Sequence, residues 1–200
     1  MSGALPTTTE FKNYTLESMH PLASSTSHSG RDFDRITGGH KWLIGLKYNN
    51  SLSRAQHDEL WGFVQKQRNA FDSFTLNLPD KNVPRGTATG TPLVNGASQN
   101  GTSIISDGWT INIPGIMKRG DLLKFNGHSK VYQVTDDANS NGSGQATINI
   151  SPALHVSPAD NETIIVNNVS FTVKLVSGRQ EYDAEAGGYY GLFINVREFY

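Results

Sequence analysis

Hydrophobic and polar positions alternate along this chain far more often than they follow a helical period. The alternation falls into short blocks separated by Gly, Pro, Asn and Ser. In residues 41–48, Trp42, Ile44, Leu46 and Tyr48 share one side, with Leu43, Gly45 and Lys47 on the other. Successive strand side chains point to opposite faces, so this block reads as a strand with one buried face. Residues 120–154 hold a second set. Leu122 to Phe125 is a short apolar run, Asn126-Gly127 suits a tight hairpin turn, and residues 130–134 run back. A polar tract at 136–144 makes a longer turn, and residues 146–150 return with Ile148 and Ile150 on one face. The pattern predicts a three-stranded antiparallel meander, part of a small barrel.

The remaining blocks are weaker. Residues 1–9 are polar and predicted loose, 14–19 a first strand, and 24–30 a loop of low apolarity. Residues 31–37 set Phe33 and Ile36 among charges, as an exposed or edge strand would. A single helix follows. Ser53 is its predicted N-cap, and Gln56, three residues on, completes a capping box. Leu60, Phe63, Val64 and Phe71 lie on or near one stripe, leaving Arg54, Asp58, Lys66 and Arg68 to face water. Phe74, Leu76 and Leu78 then alternate until Pro79.

Residues 80–100, rich in Pro, Gly, Thr and Asn, read as a crossing into a second unit. There, strands at 103–105 and around Trp109, Ile111 and Ile113 precede the meander, and strands at 163–166 and 169–176 follow it. That makes about six strands, the size of a small closed barrel. The last strand spans residues 189–200, with Leu192, Ile194 and Val196 on one face. A lone strand leaves its backbone donors without partners, so it must return to the first unit. The expected organisation is a first domain made of residues 1–85 and 178–200, interrupted by a barrel at 86–177.

Composition narrows the function classes. The 17 basic and 18 acidic residues nearly cancel, which gives no reason to expect nucleic-acid specificity. The chain has no cysteine, which excludes disulfides, thiol catalysis and thiolate metal sites. The start, MSGALPTTTEF, lacks the basic and apolar regions of a signal peptide, and no run reaches the roughly 20 apolar residues of a membrane helix. The expectation is a soluble protein made in a cytoplasm, with no membrane partner.

The candidate chemistry is sparse. Asp137, Asn139, Asn141 and Gly142 match the opening of a calcium loop, D-x-N-x-N-G, but the position that needs a bidentate Glu is Ile148. A polar hairpin turn is the better reading. Histidines at 20, 28, 40, 57, 128 and 155 show no close zinc-motif spacing, and His128 reads as a turn residue. The carboxylate pairs Asp32/Asp34 and Glu181/Asp183 read as solvated, though a glycosidase sets two carboxylates about 5–10 Å apart. There is no G-x-S-x-G elbow, and the glycines at 86 and 90 lack the Lys-Ser/Thr of a phosphate loop. No catalytic centre, metal or cofactor is expected. Trp109, Phe125, Tyr132 and Phe171 are read as barrel filling rather than a stacking platform. Tyr132 is opposite in phase to Val131, so one of the two should face outward.

The order of these parts resembles the distal tail proteins of long-tailed phages (the Dit family), most closely the flexible-tailed coliphage type. The resemblance rests on residues 120–154: Gly120-Asp121-Leu122, His128 with Lys130-Val131-Tyr132, a polar turn, an aliphatic strand, then Pro152 and Leu154. It rests also on the C-terminal strand that closes in Val196-Arg197-Glu198. The resemblance implies a mainly β fold: a β-sandwich belt domain with one helix, closed by the C-terminal strand, plus an inserted OB-fold-like barrel. It further implies a structural protein of the virion's tail tip, or baseplate, made in the host cytoplasm. As a homohexameric ring it would join the tail tube protein to the baseplate hub protein, and side-fibre or collar proteins would mount on it. A head-to-tail ring interface could pair Arg31, Arg35 and Lys41 with Glu181, Asp183 and Glu185. The alternatives are a carbohydrate-binding module that grips host-surface glycans through the barrel, and a tail-associated hydrolase.

Overall fold

A computed structural model describes residues 3–68, 70–176 and 180–200. The chain forms two compact units, Met1–Thr75 with Val173–Phe199, and Leu76–Thr172 with Tyr200. The expected return point at residues 177 and 178 lies outside the described residues.

The first unit opens with β1 (Asn13–Met19), the hairpin β2 (Leu22–Thr26) and β3 (Asp32–Ile36), β4 (Lys41–Lys47), α1 (Arg54–Lys66) and β5 (Phe74–Asn77). Trp42, Ile44, Leu46 and Tyr48 are all buried, as the alternation requires. At α1 the Ser53 side chain accepts the Gln56 amide while the Gln56 side chain accepts the Ser53 amide, the reciprocal capping box. Leu60 and Val64 are buried on its inner stripe together with His57. Phe71 does not extend that stripe and is 68% exposed. The helix stops at Lys66, and Arg68 and Ala70 take positive φ angles of 49° and 72°, so the periodicity is broken before Phe71. Two other expectations are corrected. The N-terminal stretch is not loose throughout: the Leu5 amide donates to the Thr75 carbonyl at 3.0 Å, the Thr75 amide donates to Gly3, and Leu5 is buried. And part of the stretch read as loop at 24–30 is strand β2, because its backbone pairs along β3 although its side chains bury nothing.

The second unit is a nearly closed barrel of β6 (Gly90–Val94), β7 (Ser103–Trp109), β8 (Leu122–Phe125), β9 (Val131–Val134), β10 (Ala146–Ser151) and β11 (Ile164–Ile165), in the order β11-β8-β9-β10-β7-β6. The predicted meander is β8-β9-β10. Amide-to-carbonyl bonds from Val94 to Glu162 and from Asn161 to Val94, both 2.9 Å, bring β6 back beside β11. Strand β6 was hidden by Gly90 and Pro92, which read as turn residues. Ile111 and Ile113 are not strand, since Asn112 at φ 55° takes the chain out of the extended region.

The core holds Trp109, Leu123, Phe125, Tyr132, Ile148 and Ile150. Truncating Phe125 would remove about 3–5 kcal/mol. Val131 and Tyr132 are both wholly buried, against the expectation that one faces out. The opposite side of the β8-β9 hairpin also carries buried aliphatics, Leu122 beside Val131, so both faces of this hairpin are covered.

The chain ends with β12 (Ser170–Leu175), β13 (Tyr182–Ala184) and β14 (Tyr190–Glu198). The first unit's main sheet runs β1-β4-β14-β12-β5, with β13 on β14. The C-terminal strand thus lies between β4 and β12, paired to both. Strand β12 was expected in the barrel with its Phe171. Its pairing with β14 places it in the other sheet, because alternation shows that a strand buries a face but not which strand it meets. The molecule is mainly β, a helix-bearing sandwich-type unit with a barrel-like insert.

Candidate assembly surface

The hairpin β2-β3 is the feature of the first unit that its own fold does not use. All ten strand residues are exposed. They pair with one another, Leu22 with Ile36 through Thr26 with Asp32, and among the described residues with no other strand. The turn is fixed locally. Ser27 Oγ accepts the Arg31 amide at 3.0 Å, Gly30 takes φ 77°, and Thr26 Oγ1 donates to the Asp32 carboxylate at 2.6 Å. At the root, the Thr37 amide donates to the Pro21 carbonyl at 2.9 Å. The sequence explains the exposure. LASST and DFDRI carry too few apolar residues for a buried face, and their charges protect open edges. Yet Leu22, Phe33 and Ile36 remain 57%, 57% and 64% exposed. A two-stranded ribbon is marginal alone, so an arm of this kind is suited to a partner surface.

The nominated residues fall on two hairpins. Arg31 and Arg35 are exposed on the arm, and Lys41 opens β4 at its root, half-buried. Glu181, Asp183 and Glu185 are exposed on and beside β13. Among the described residues, Arg31, Arg35, Lys41, Asp183 and Glu185 form no ion pair.

An aromatic knot anchors β13. The His57 ring stacks on Tyr190 at 4.5 Å and meets Tyr182 at 4.5 Å, while Trp61 meets Tyr182 edge-on at 4.9 Å. His57 also contacts Asp58 Oδ1 through Nδ1 at 3.1 Å. The sequence reading missed this role. The available signal was the i,i+4 spacing of His57 and Trp61 on one helix face. Between β13 and the outer face of β14 lies an open groove of about 440 Å³ that includes Asp183, Gly191, Phe193 and Asn195.

Elsewhere the candidate chemistry resolves into architecture. Asp137 Oδ1 accepts the Arg119 amide, Asn139 Oδ1 the Gly115 amide, and Asn141 Oδ1 the amides of Ser143 and Gln145, at 2.7–2.9 Å. These oxygens fold the turn, as the hairpin reading holds. Among the described residues no three His, Asp or Glu side chains converge as a metal site. His20, His40 and Trp42 meet in series, the first pair tilted and the second edge-on, with Ser18 Oγ at 3.0 Å from His40 Nε2. His28 is exposed in the arm's turn, and His155 meets the Tyr200 ring at 4.6 Å. The His128 ring packs against Phe125 and Tyr132, and its nitrogens are buried without hydrogen-bond partners. Burial pushes its pKa below the ordinary histidine value, with Glu162 opposing that shift and His155 and Lys130 adding to it.

The stretch that carries the resemblance has a mechanical core. Buried Asp121 accepts three backbone amides, from Arg85 at 2.7 Å, Gly86 at 3.0 Å and Lys118 at 2.8 Å. A Cβ on Gly86 would stand 2.5 Å from the Ile116 carbonyl oxygen, so only glycine lets that segment approach the carboxylate. Glu162 clamps the β8-β9 turn by accepting the Gly127 amide at 2.5 Å and the Ala159 amide at 2.9 Å. Trp109, Phe125, Tyr132 and Phe171 are all buried and offer no ring face to a sugar or base.

Comparison with known proteins gives two matches. The family model described as "Distal tail protein pb9, B domain" matches residues 81–169, inside the barrel unit. The chain is also 32% identical over 191 residues to the distal tail protein pb9 of Escherichia phage T5, covering 94% of this chain and 91% of that relative.

Proposed function

Because the chain belongs to the phage distal tail proteins, structural components of the phage tail, we propose that it works by assembly, as the repeating subunit of a homohexameric ring at the tail tip. The observation that carries this is the β2-β3 arm, a backbone-paired hairpin with exposed Leu22, Phe33 and Ile36 and no packing role in its own unit. A head-to-tail contact between two different patches closes into a ring when its rotation closes. The arginine-bearing face of the arm and the acidic β13 hairpin are two such patches. The ring joins the tail tube to the baseplate hub and carries peripheral host-binding parts on its outer domain, with no catalytic role. The sandwich-type unit with its arm forms the ring, and the barrel is the domain it displays.

The test is the mass of the purified protein by light scattering, followed by negative-stain imaging. Six copies of the 21.9 kDa chain give about 131 kDa, seen as a ring with a central hole. Deleting residues 22–36 and joining Pro21 to Thr37 should yield a folded monomer. A full-length protein that stays monomeric at high concentration, alone and with its tube and hub proteins, would overturn the reading.

A further inference from the structure

We infer that the groove between β13 and the outer face of β14 is the seat for the β2-β3 arm of a second copy of this chain, with Phe33 inserted over Phe193. This rests on the ring reading above and specifies the contact within it.

The register divides the arm into two faces. Phe33 lies across from Ser25, and Arg35 across from Ala23, so Phe33, Arg35 and two small residues share one side. The face is one exposed aromatic ring flanked by a guanidinium, with Arg31 just beyond. The hairpin's five-residue strands give it a reach of roughly 17 Å.

The groove is the complement of that face. On β14, Gly191, Phe193 and Asn195 point to the side opposite the buried Leu192, Ile194 and Val196. Phe193 is half exposed although it lies in the middle of a sheet strand. The Phe193 ring lies over Gly45 of β4, where a Cβ would stand 3.2 Å from the ring, and Lys47 pairs with Phe193 across the sheet. Asp183 pairs with Gly191 in register, so its carboxylate is carried on the same side as Phe193, and Glu181, two residues away, shares that side. A floor of Phe193 and Asn195 with carboxylates along one wall thus faces an aromatic ring with guanidinium groups beside it. The Tyr182 contacts with His57 and Trp61 hold the acidic wall in place before any partner arrives.

The absence of cysteine makes the test clean. Ser25 on the arm and Asn195 in the groove are both exposed, and the double variant Ser25→Cys/Asn195→Cys introduces the only two thiols in the chain. Oxidation or a short bismaleimide should convert the purified oligomer into a covalent ladder ending at the ring number, and either single variant should give dimers at most. Arg35→Glu should weaken self-association about tenfold or more, because it sets like charges against each other. Asp183→Arg in the same chain should restore it. Rings of full mass without the ladder, or without rescue by the charge swap, would overturn the groove as the seat while leaving the ring reading intact. A chain that forms no oligomer would remove both.

Discussion

Asp121 shows how one side chain can do the work of a motif. Its carboxylate draws together amides from two segments, residues 85–86 and residue 118. Hydrogen bonds to a buried charge are among the more valuable ones, and removing it leaves three amides without acceptors. Asp121→Ala should cost about 3–5 kcal/mol in urea unfolding. Tyr48 has the opposite character. Its hydroxyl is buried without a partner, and burial holds the phenol's pKa above its ordinary value. Tyr48→Phe should therefore be neutral or stabilise the protein by about 1 kcal/mol in the same measurement. His128 predicts a pH dependence. Its folded pKa is depressed, so the unfolded chain takes up the proton first as pH falls. Its contribution to stability is complete above the ordinary value of about 6.5 and is lost as pH drops below it toward the folded value. The urea midpoint of wild type should fall between pH 7.5 and 5 more steeply than that of His128→Phe. Parallel curves would show that the ring does not titrate this way.

At the scale of elements, the informative contrast is between two hairpins. The β8-β9 hairpin is buried on both faces and clamped at its turn by Glu162. The β2-β3 arm has equally regular pairing but buries nothing. Hydrogen-bonded backbone without packed side chains opens easily, so amide protection should differ sharply between the two. In the dissociated protein, the arm's ladder amides should exchange within seconds to minutes while those of β8 and β9 persist far longer. On assembly the arm should gain protection and the barrel should change little. An arm already protected in the monomer would mean that it packs on its own chain.

At the scale of the molecule, the proposed ring depends on where unlike surfaces are placed. The arginine-bearing face of the arm, whose Asp32 and Asp34 lie on its other side, and the acidic β13 hairpin belong to the same unit and lie on different hairpins. Their charges are exposed, so their attraction is screened at a Debye length of about 8 Å in physiological salt. Ring assembly should weaken as sodium chloride rises from 0.05 to 0.5 M (about 3-fold shorter screening length), read as a falling weight-average mass in sedimentation. Assembly indifferent to salt would place the stabilising contacts in the apolar residues alone, Phe33 and Phe193 among them.

Local pattern was enough to reveal the buried face of β4, the capping box of α1, the meander β8-β9-β10 and the need of the last strand for a partner. Each depends on neighbours in the chain: the two-residue period, the Ser53–Gln56 spacing, the Asn126-Gly127 turn and the obligatory pairing of backbone donors. The resemblance to the tail proteins was legible for the same reason, since its motif residues lie in two short contiguous stretches, 120–154 and 196–198. What the pattern did not contain was the choice of partner. Strand β12 alternates as well as any barrel strand, and its place beside β14 came from register across distant residues. Strand β6 was masked by Gly90 and Pro92, and β2 by side chains that bury nothing, because backbone pairing leaves no hydrophobic trace. The aromatic knot joins His57 to Tyr182 and Tyr190, more than a hundred positions away, and the groove under Asp183 forms only when β13 pairs on β14. Such sites exist only once the chain has closed on itself, since burial and reach are properties of the packed sheet rather than of any segment within it.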